Sequence, residues 1–225
     1  MRAAVIPARG GSKRIPRKNI KLMNGKPVLA RAIDLAVASK CFDRVFVSTE
    51  DDEIANVAEK NHATVLHRPA HLATDHASTM SVVKHSAQAL ANTFESICCI
   101  YPLTPLLRPQ RLREGLNLLE TDSFDFVISV TEFSHPPQRA VKLQDGRVLF
   151  EAPQFAEVRT QDLTELLHDS GQFYWGKIEA WLENDTIFGT RTGAVKLEKH
   201  EAVDIDDFSD WALAEALLGI QNNSL

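Results

Sequence analysis

The sequence predicts an α/β protein built on a mostly parallel sheet, and three observations carry that expectation. Short β-branched apolar runs alternate with segments of helical period through the first half of the chain, the pattern of repeated strand–helix units. A glycine-containing, cationic segment follows directly on the first apolar run. That places it at the carboxyl end of a strand, where open parallel sheets gather their ligands. Finally, 225 residues of which 44% are hydrophobic suffice for a full core without disulfides or a structural metal.

In chain order, Ala3 to Ile6 reads as the first strand. Pro27 to Ser39 (PVLARAIDLAVAS) places Val28, Ala32, Ile33, Leu35 and Ala36 on or near one helical face, with Pro27 suited to a first turn. Arg44 to Ser48 is the second strand, and Thr49 is expected to cap an acidic-starting helix from Asp51 to about Lys60. Thr64 to Leu66, Ser96 to Ile100 and Phe126 to Thr131 read as further strands, separated by helices over Ser78 to Ala91 and Pro109 to Leu119. From Glu132 to about Asp169 the pattern breaks at Pro136, Pro137 and Pro153, with a hairpin turn expected at Asp145-Gly146. An excursion of that length in a compact domain is usually functional or partner-binding. Gln172 to Trp175 and Ala194 to Leu197 are expected strands, and Asp207 to Leu218 a closing helix. With no repeat, low-complexity tract or linker, residues 1–225 are expected to form one domain carrying 132–169 as the excursion.

Ala4 to Asn19 reads AVIPARGGSKRIPRKN, so Arg9, Lys13, Arg14, Arg17 and Lys18 crowd into one loop of a chain whose net charge is −5. The acidic balance argues against a duplex nucleic-acid partner, whereas a small phosphorylated ligand needs only one cationic loop. Gly10 and Gly11 leave room for backbone amides to turn toward an anion. Neither a P-loop nor a G-x-G-x-x-G fingerprint is present. Cys41, Cys98 and Cys99 are odd in number and the last two lie in an apolar run, which suits packing in a reducing compartment. The eight histidines have no zinc-site spacing. No segment approaches the ~20 apolar residues of a membrane span, and the N-terminus is too short in apolar residues for a signal peptide. A cytoplasmic protein without membrane contact is expected.

Four segments carry a family resemblance in the family's order: IPARGGSKRIPRKN; Arg68-Pro69 with Leu72-Ala73-Thr74-Asp75; Tyr101-Pro102-Leu103-Thr104-Pro105-Leu106-Leu107-Arg108; and Asp204-Ile205-Asp206. Together they resemble the CMP-N-acetylneuraminate synthetase family, the cytidylyltransferases that activate nonulosonic acids. The resemblance implies a Rossmann-like nucleotidyltransferase fold whose excursion dimerises and approaches the partner's sugar site. It implies attack by the anomeric hydroxyl of a nine-carbon sugar acid on the α-phosphorus of CTP. It also implies a phosphate cradle of Ala8, Arg9, Gly10, Gly11, Ser12 and Lys13, with Lys18 near the α-phosphate as transition-state charge stabiliser alongside Arg9. Asn19, Arg68, Asp75 and Ser78 fall at nucleotide positions, with Asp75 organising its loop, although by sequence alone capping of the next helix is the commoner role for Asp75 and Ser78. Arg14 and Arg17 are left to the rim or to solvent.

Asp204 and Asp206 match the family's metal aspartates for Mg²⁺, with Mn²⁺ as the alternative ion. Alternation along an extended segment would put both on one face and turn Ile205 inward. The competing reading is an acidic cap of the last helix. One departure points to a branch: Tyr101 stands where sialic acid synthetases usually have a sugar-contacting Gln. With His168 to Gly176 (HDSGQFYWG) and Gln138-Arg139-Ala140, the chain looks more like the pseudaminic acid branch. Tyr101, Arg139 and Gln172 are the sugar-site candidates. N-acetylneuraminic or legionaminic acid is the alternative substrate, a sugar-1-phosphate nucleotidyltransferase the alternative enzyme, and a non-catalytic nucleotide binder the alternative class. The presence of Arg9, Lys18, Asp204 and Asp206 argues against the last.

Overall fold

A computed structural model describes residues 1–223. Strand β1 (Arg2–Pro7) leads through a small ribbon of β2 (Leu22–Met23) and β3 (Lys26–Pro27) into helix α1 (Val28–Ser39). Then follow β4 (Arg44–Thr49), α2 (Asp52–Lys60), β5 (Thr64–His67), α3 (Thr79–Leu90), β6 (Ser96–Ile100), α4 (Pro109–Thr121) and β7 (Phe126–Glu132). The excursion holds the hairpin β8 (Val141–Gln144) and β9 (Arg147–Phe150). The chain closes with β10 (Leu167–Lys177), α5 (Ile178–Glu183), β11 (Thr192–Lys196) and α6 (Phe208–Asn223).

Seven strands form the central sheet in the order β11-β7-β10-β6-β1-β4-β5. All neighbours are parallel except β10, which runs antiparallel to both β6 and β7. The strand period of two sorts the core into layers. Ala4 and Ile6 of β1 face Leu29, Ile33, Leu112 and Trp175 on one side, while Ala3 and Val5 join Val83, Ala87 and Trp181 on the other. Close packing of α4 needs Gly115, since a Cβ there would lie 2.7 Å from Trp175 Cδ1. A third cluster of Ile15, Met23, Val28, Leu106, Ile205 and Trp211 ties the cationic loop to α6.

Several expectations need correction. Asp51, not Thr49, caps α2: its carboxylate accepts from the Ile54 amide at 3.0 Å, while the Thr49 hydroxyl accepts from the Asp51 amide. β10 begins inside the segment read as irregular, and α5 was not foreseen because its six residues are too few to display a period. The expected hairpin is present, with Asp145 and Gly146 both left-handed at φ 50° and 75°, the conformation a two-residue turn requires. Asp207 caps α6, its carboxylate accepting from the amides of Ser209 and Asp210. The acidic-cap reading therefore applies to Asp207 and leaves Asp206 for other partners.

Candidate active site

The carboxyl ends of β1, β5 and β6 open into a cleft of about 310 Å³, lined in part by Arg9, Ser12, Lys18, Asn19, Arg68 and Tyr101. The cationic loop is fixed from below by apolar burial of Ala8 and Ile15, and by the Ala8 amide donating to the Ser48 carbonyl. Arg17 adopts a left-handed backbone at φ 55° and ends the loop in one short helical turn, Lys18–Ile20. Its guanidinium forks onto Asp51 at 2.6 and 2.9 Å and reaches Glu53 at 2.6 Å. That pairing holds the Asp51 carboxyl down at about 2, with the Arg17 hydrogen bond the largest cause. Arg17 thus staples the loop to the start of α2 and is not a rim cation.

The other loop cations also meet carboxylates of this chain. Arg9 and Lys13 converge on Asp75 at 2.6 and 2.5 Å, and Arg14 reaches Asp206 at 2.6 Å. Lys13 first and Arg9 second keep the Asp75 carboxyl at about 2, so it stays an anion at any working pH. The Gly10 amide donates to Glu50 at 2.8 Å. Triphosphate would meet a cradle already occupied by internal anions. Lys18 donates to the Ile205 carbonyl at 2.6 Å, and its nitrogen lies 3.7 Å from Asp206. Burial lowers its pKa despite the nearby aspartates.

Asn19 is buried and donates to the Arg9 carbonyl, which shapes the loop. Arg68 is buried too, bonded to the carbonyl and hydroxyl of Ser48, and burial lowers its pKa. Ser78 accepts from the Ser81 amide and caps α3 without lining the cleft. Asp204 is exposed, yet its pKa is raised by partial burial and then by Asp206. Tyr101 walls the cleft; its hydroxyl pairs with that of Thr79, and its ring packs edge-on against Tyr174 at 5.7 Å. Burial pushes the Tyr101 phenol up to about 12. Beyond Tyr101 and Thr79 lies a second hollow of about 270 Å³, where the Tyr174 hydroxyl donates to Asp169 at 2.6 Å.

Gln172 and Arg139 are not brought to the cleft within one chain. The Gln172 side chain is buried, donating to the Ser170 carbonyl, and Arg139 donates to the Val158 carbonyl inside the excursion. Sequence reasoning missed Asp169 and Tyr174 as individual wall residues, although both lie in the segment singled out at His168 to Gly176. It also missed Glu50 and Asp51, whose only signal was a run of four acidic residues, Glu50 to Glu53, directly after β4.

The sequence pattern of the family described as "Cytidylyltransferase" matches residues 3–218, from β1 to the closing helix. The chain belongs to that family. A pseudaminic acid cytidylyltransferase of Campylobacter jejuni is 37% identical over 226 residues, covering 98% of this chain and 97% of the relative. An N-acylneuraminate cytidylyltransferase of Escherichia coli is 32% identical over 94% of this chain and half of its own length. Among solved structures, a CMP:2-keto-3-deoxy-manno-octonic acid synthetase complexed with CTP superposes with a TM-score of 0.72 at 16% identity, covering 98% of this chain and 99% of that one. A 4-diphosphocytidyl-2C-methyl-D-erythritol synthase from Anaerococcus prevotii reaches 0.65, also at 16% identity, over 97% and 98% of the two chains. At that identity the likeness is one of fold, and the mostly parallel sheet of this cytidylyltransferase is the shared feature. Among the described residues no helix is long and apolar enough to cross a membrane.

Proposed function

We propose that this cytidylyltransferase joins CTP to pseudaminic acid, giving CMP-pseudaminic acid and pyrophosphate. The observation that carries the reading is the adjacency of two hollows across Tyr101, one cationic and one not. The first suits a triphosphate. The second has Asp169 and Asp185 but no Lys or Arg among its lining residues, with Met80, Ile187 and Phe188 as apolar wall. A sugar acid would therefore turn its carboxylate toward the cationic cleft and seat its acylamino and deoxy carbons against Asp169 and the apolar wall. The near-full-length similarity to the Campylobacter jejuni enzymes favours pseudaminic acid over its relatives.

In this reading the anomeric oxygen attacks the α-phosphorus as the bond to pyrophosphate breaks. Lys18 stabilises charge that grows on the phosphate oxygens, in a half-buried position where an ammonium acts more strongly than in water. Arg9 and Lys13 exchange Asp75 for the distal phosphates. Asp204 and Asp206 fit a magnesium or manganese ion: they are hard oxygen donors on one segment, and the raised Asp204 carboxyl marks a charge that a cation would relieve. When bound, such an ion neutralises the leaving pyrophosphate and polarises the phosphorus.

The same proposal includes a homodimer through residues 132–169. Val141 pairs with Phe150 and Leu143 with Val148 on one face of the hairpin, and all four side chains are exposed. An apolar face of that kind on a two-stranded ribbon supports burial against a second copy. Product mass from four nucleoside triphosphates crossed with pseudaminic, legionaminic, N-acetylneuraminic and 3-deoxy-octulosonic acids tests the chemistry, with and without chelator. CMP-pseudaminic acid as the main product supports the reading. Turnover of another acid with none of pseudaminic acid overturns the substrate, and full turnover in chelator overturns the ion.

A further inference from the structure

Residues 197–207, between β11 and α6, contain no helix or strand, yet they carry Asp204 and Asp206. Ligands to a hard octahedral ion must hold their places to within about half an ångström, so something other than backbone ladders has to fix this segment. Two pins do so. Ile205, buried to 1% exposure, sits in the third apolar cluster beside Ile15 and Trp211. The second pin is Glu201, whose side chain has 0% exposure.

The Glu201 carboxylate is gripped chiefly by the guanidinium of Arg111, with the exposed Arg108 Nε farther off at 3.8 Å from Oε1. Arg111 donates through Nε at 3.0 Å and through Nη2 at 2.8 Å to the same oxygen, and Nε also lies 3.3 Å from the other. The Glu198 amide adds a donor at 3.1 Å. On its outer edge Arg111 is oriented in turn by Glu114 at 3.0 Å. Arg111 lies in the first turn of α4, and the loop leading into that helix supplies Tyr101, Pro102 and Leu103 to the nucleotide cleft. The fork therefore joins the segment bearing the two aspartates to the opposite wall of the cleft.

Stability alone does not account for such a pair. Removing the Glu201 carboxylate wholly and the Arg111 guanidinium largely from water is costly, and a well-packed apolar pair of similar volume is often as stable or more so. What a bidentate guanidinium adds is a fixed angle and distance. We infer that Arg111 and Glu201 are positioning residues: their partly buried fork sets the place of Asp204 and Asp206, and of the Ile205 carbonyl that holds Lys18, without touching substrate. The inference rests on the metal reading of the aspartates proposed above.

The test uses the double substitution Arg111→Met and Glu201→Met, which leaves no unpaired buried charge, and Arg111→Lys, which keeps the charge but loses the fork. Free Mn²⁺ is measured by electron paramagnetic resonance in the presence of CTP, together with kcat, KM and melting temperature. The double variant is expected to melt near the wild type. It should bind Mn²⁺ about tenfold more weakly and lose about tenfold in kcat, with the KM for CTP little changed. Arg111→Lys should fall between the two. Wild-type Mn²⁺ affinity and kcat in either folded variant, with only the melting temperature altered, would overturn the inference. If the double variant does not fold, Arg111→Lys decides on the same two readouts. Wild-type protein that binds no Mn²⁺ and works in chelator overturns the metal reading alone, and the fork is then judged by kcat, which must still fall through Ile205 and Lys18.

Discussion

Lys18 and Asp206 lie 3.7 Å apart although 188 positions separate them in the chain, and the same ammonium is fixed more tightly by the carbonyl of Ile205 at 2.6 Å. The backbone carbonyl holds the lysine in place, while the carboxylate stays partnered mainly by Arg14. A cation held this way is already oriented before substrate arrives, which is the condition for stabilising a transition state at little reorganisation cost.

Replacing Lys18 by Met is therefore expected to reduce kcat by about a hundredfold or more, while the KM for CTP changes by only a small factor. Because burial lowers the lysine's pKa in the free protein and the charged form is the active one, kcat/KM should fall as pH rises through a value below that of an ordinary lysine. Steady-state kinetics across pH 6 to 11 checks both statements. A raised KM at unchanged kcat would make Lys18 a uniform binding residue.

Gly10 and Gly11 should respond differently to a methyl group. A Cβ at Gly10 would stand 2.3 Å from Asp51 Oδ2, whereas at Gly11 nothing of the chain lies within 4 Å. Gly10→Ala is expected to disturb the Arg17–Asp51 staple and cost about 1–2 kcal/mol of stability. Gly11→Ala should melt like the wild type and instead raise the KM for CTP, since the open space beside it is where phosphate would approach. Urea unfolding and CTP titration of the two variants separate these effects.

Asp75 neutralises Arg9 and Lys13 in the free protein. Asp75→Asn is expected to free both cations and tighten CTP binding roughly threefold at low ionic strength, with the gain fading in salt. Calorimetric titration at two salt concentrations reads this directly. Weaker binding at both would mean that the carboxylate itself contacts the nucleotide.

The hairpin prediction concerns assembly. Leu143 and Val148 are 77% and 68% exposed and face each other across β8 and β9. Leu143→Asp should convert a dimer to a monomer in light scattering while leaving the melting of the sheet nearly unchanged, because the side chain has little to lose in the isolated chain. A wild-type monomer would remove the basis of the dimer proposal.

Local signals in the sequence determined the strand–helix alternation, the loop at the end of β1, the Asp145-Gly146 turn and the family motifs. Those signals depend on period, backbone preference and composition, which act over a few residues. The direction of β10 was not among them, because a period of two reads the same in a parallel or an antiparallel strand. Nor were the pairings. Sequence placed five cations in one loop, but the fold assigned Arg17 to Asp51, Arg9 and Lys13 to Asp75, and Arg14 to Asp206, across 34 to 192 residues. The grip of Arg111 on Glu201 joins residues 90 apart in the same way. Which carboxylate meets which cation depends on which strand ends lie side by side in the sheet, and charge type alone carries no information about that neighbour. Tertiary structure therefore decided that the loop is stapled and internally neutralised, while the sequence by itself had settled that it would be cationic and glycine-containing.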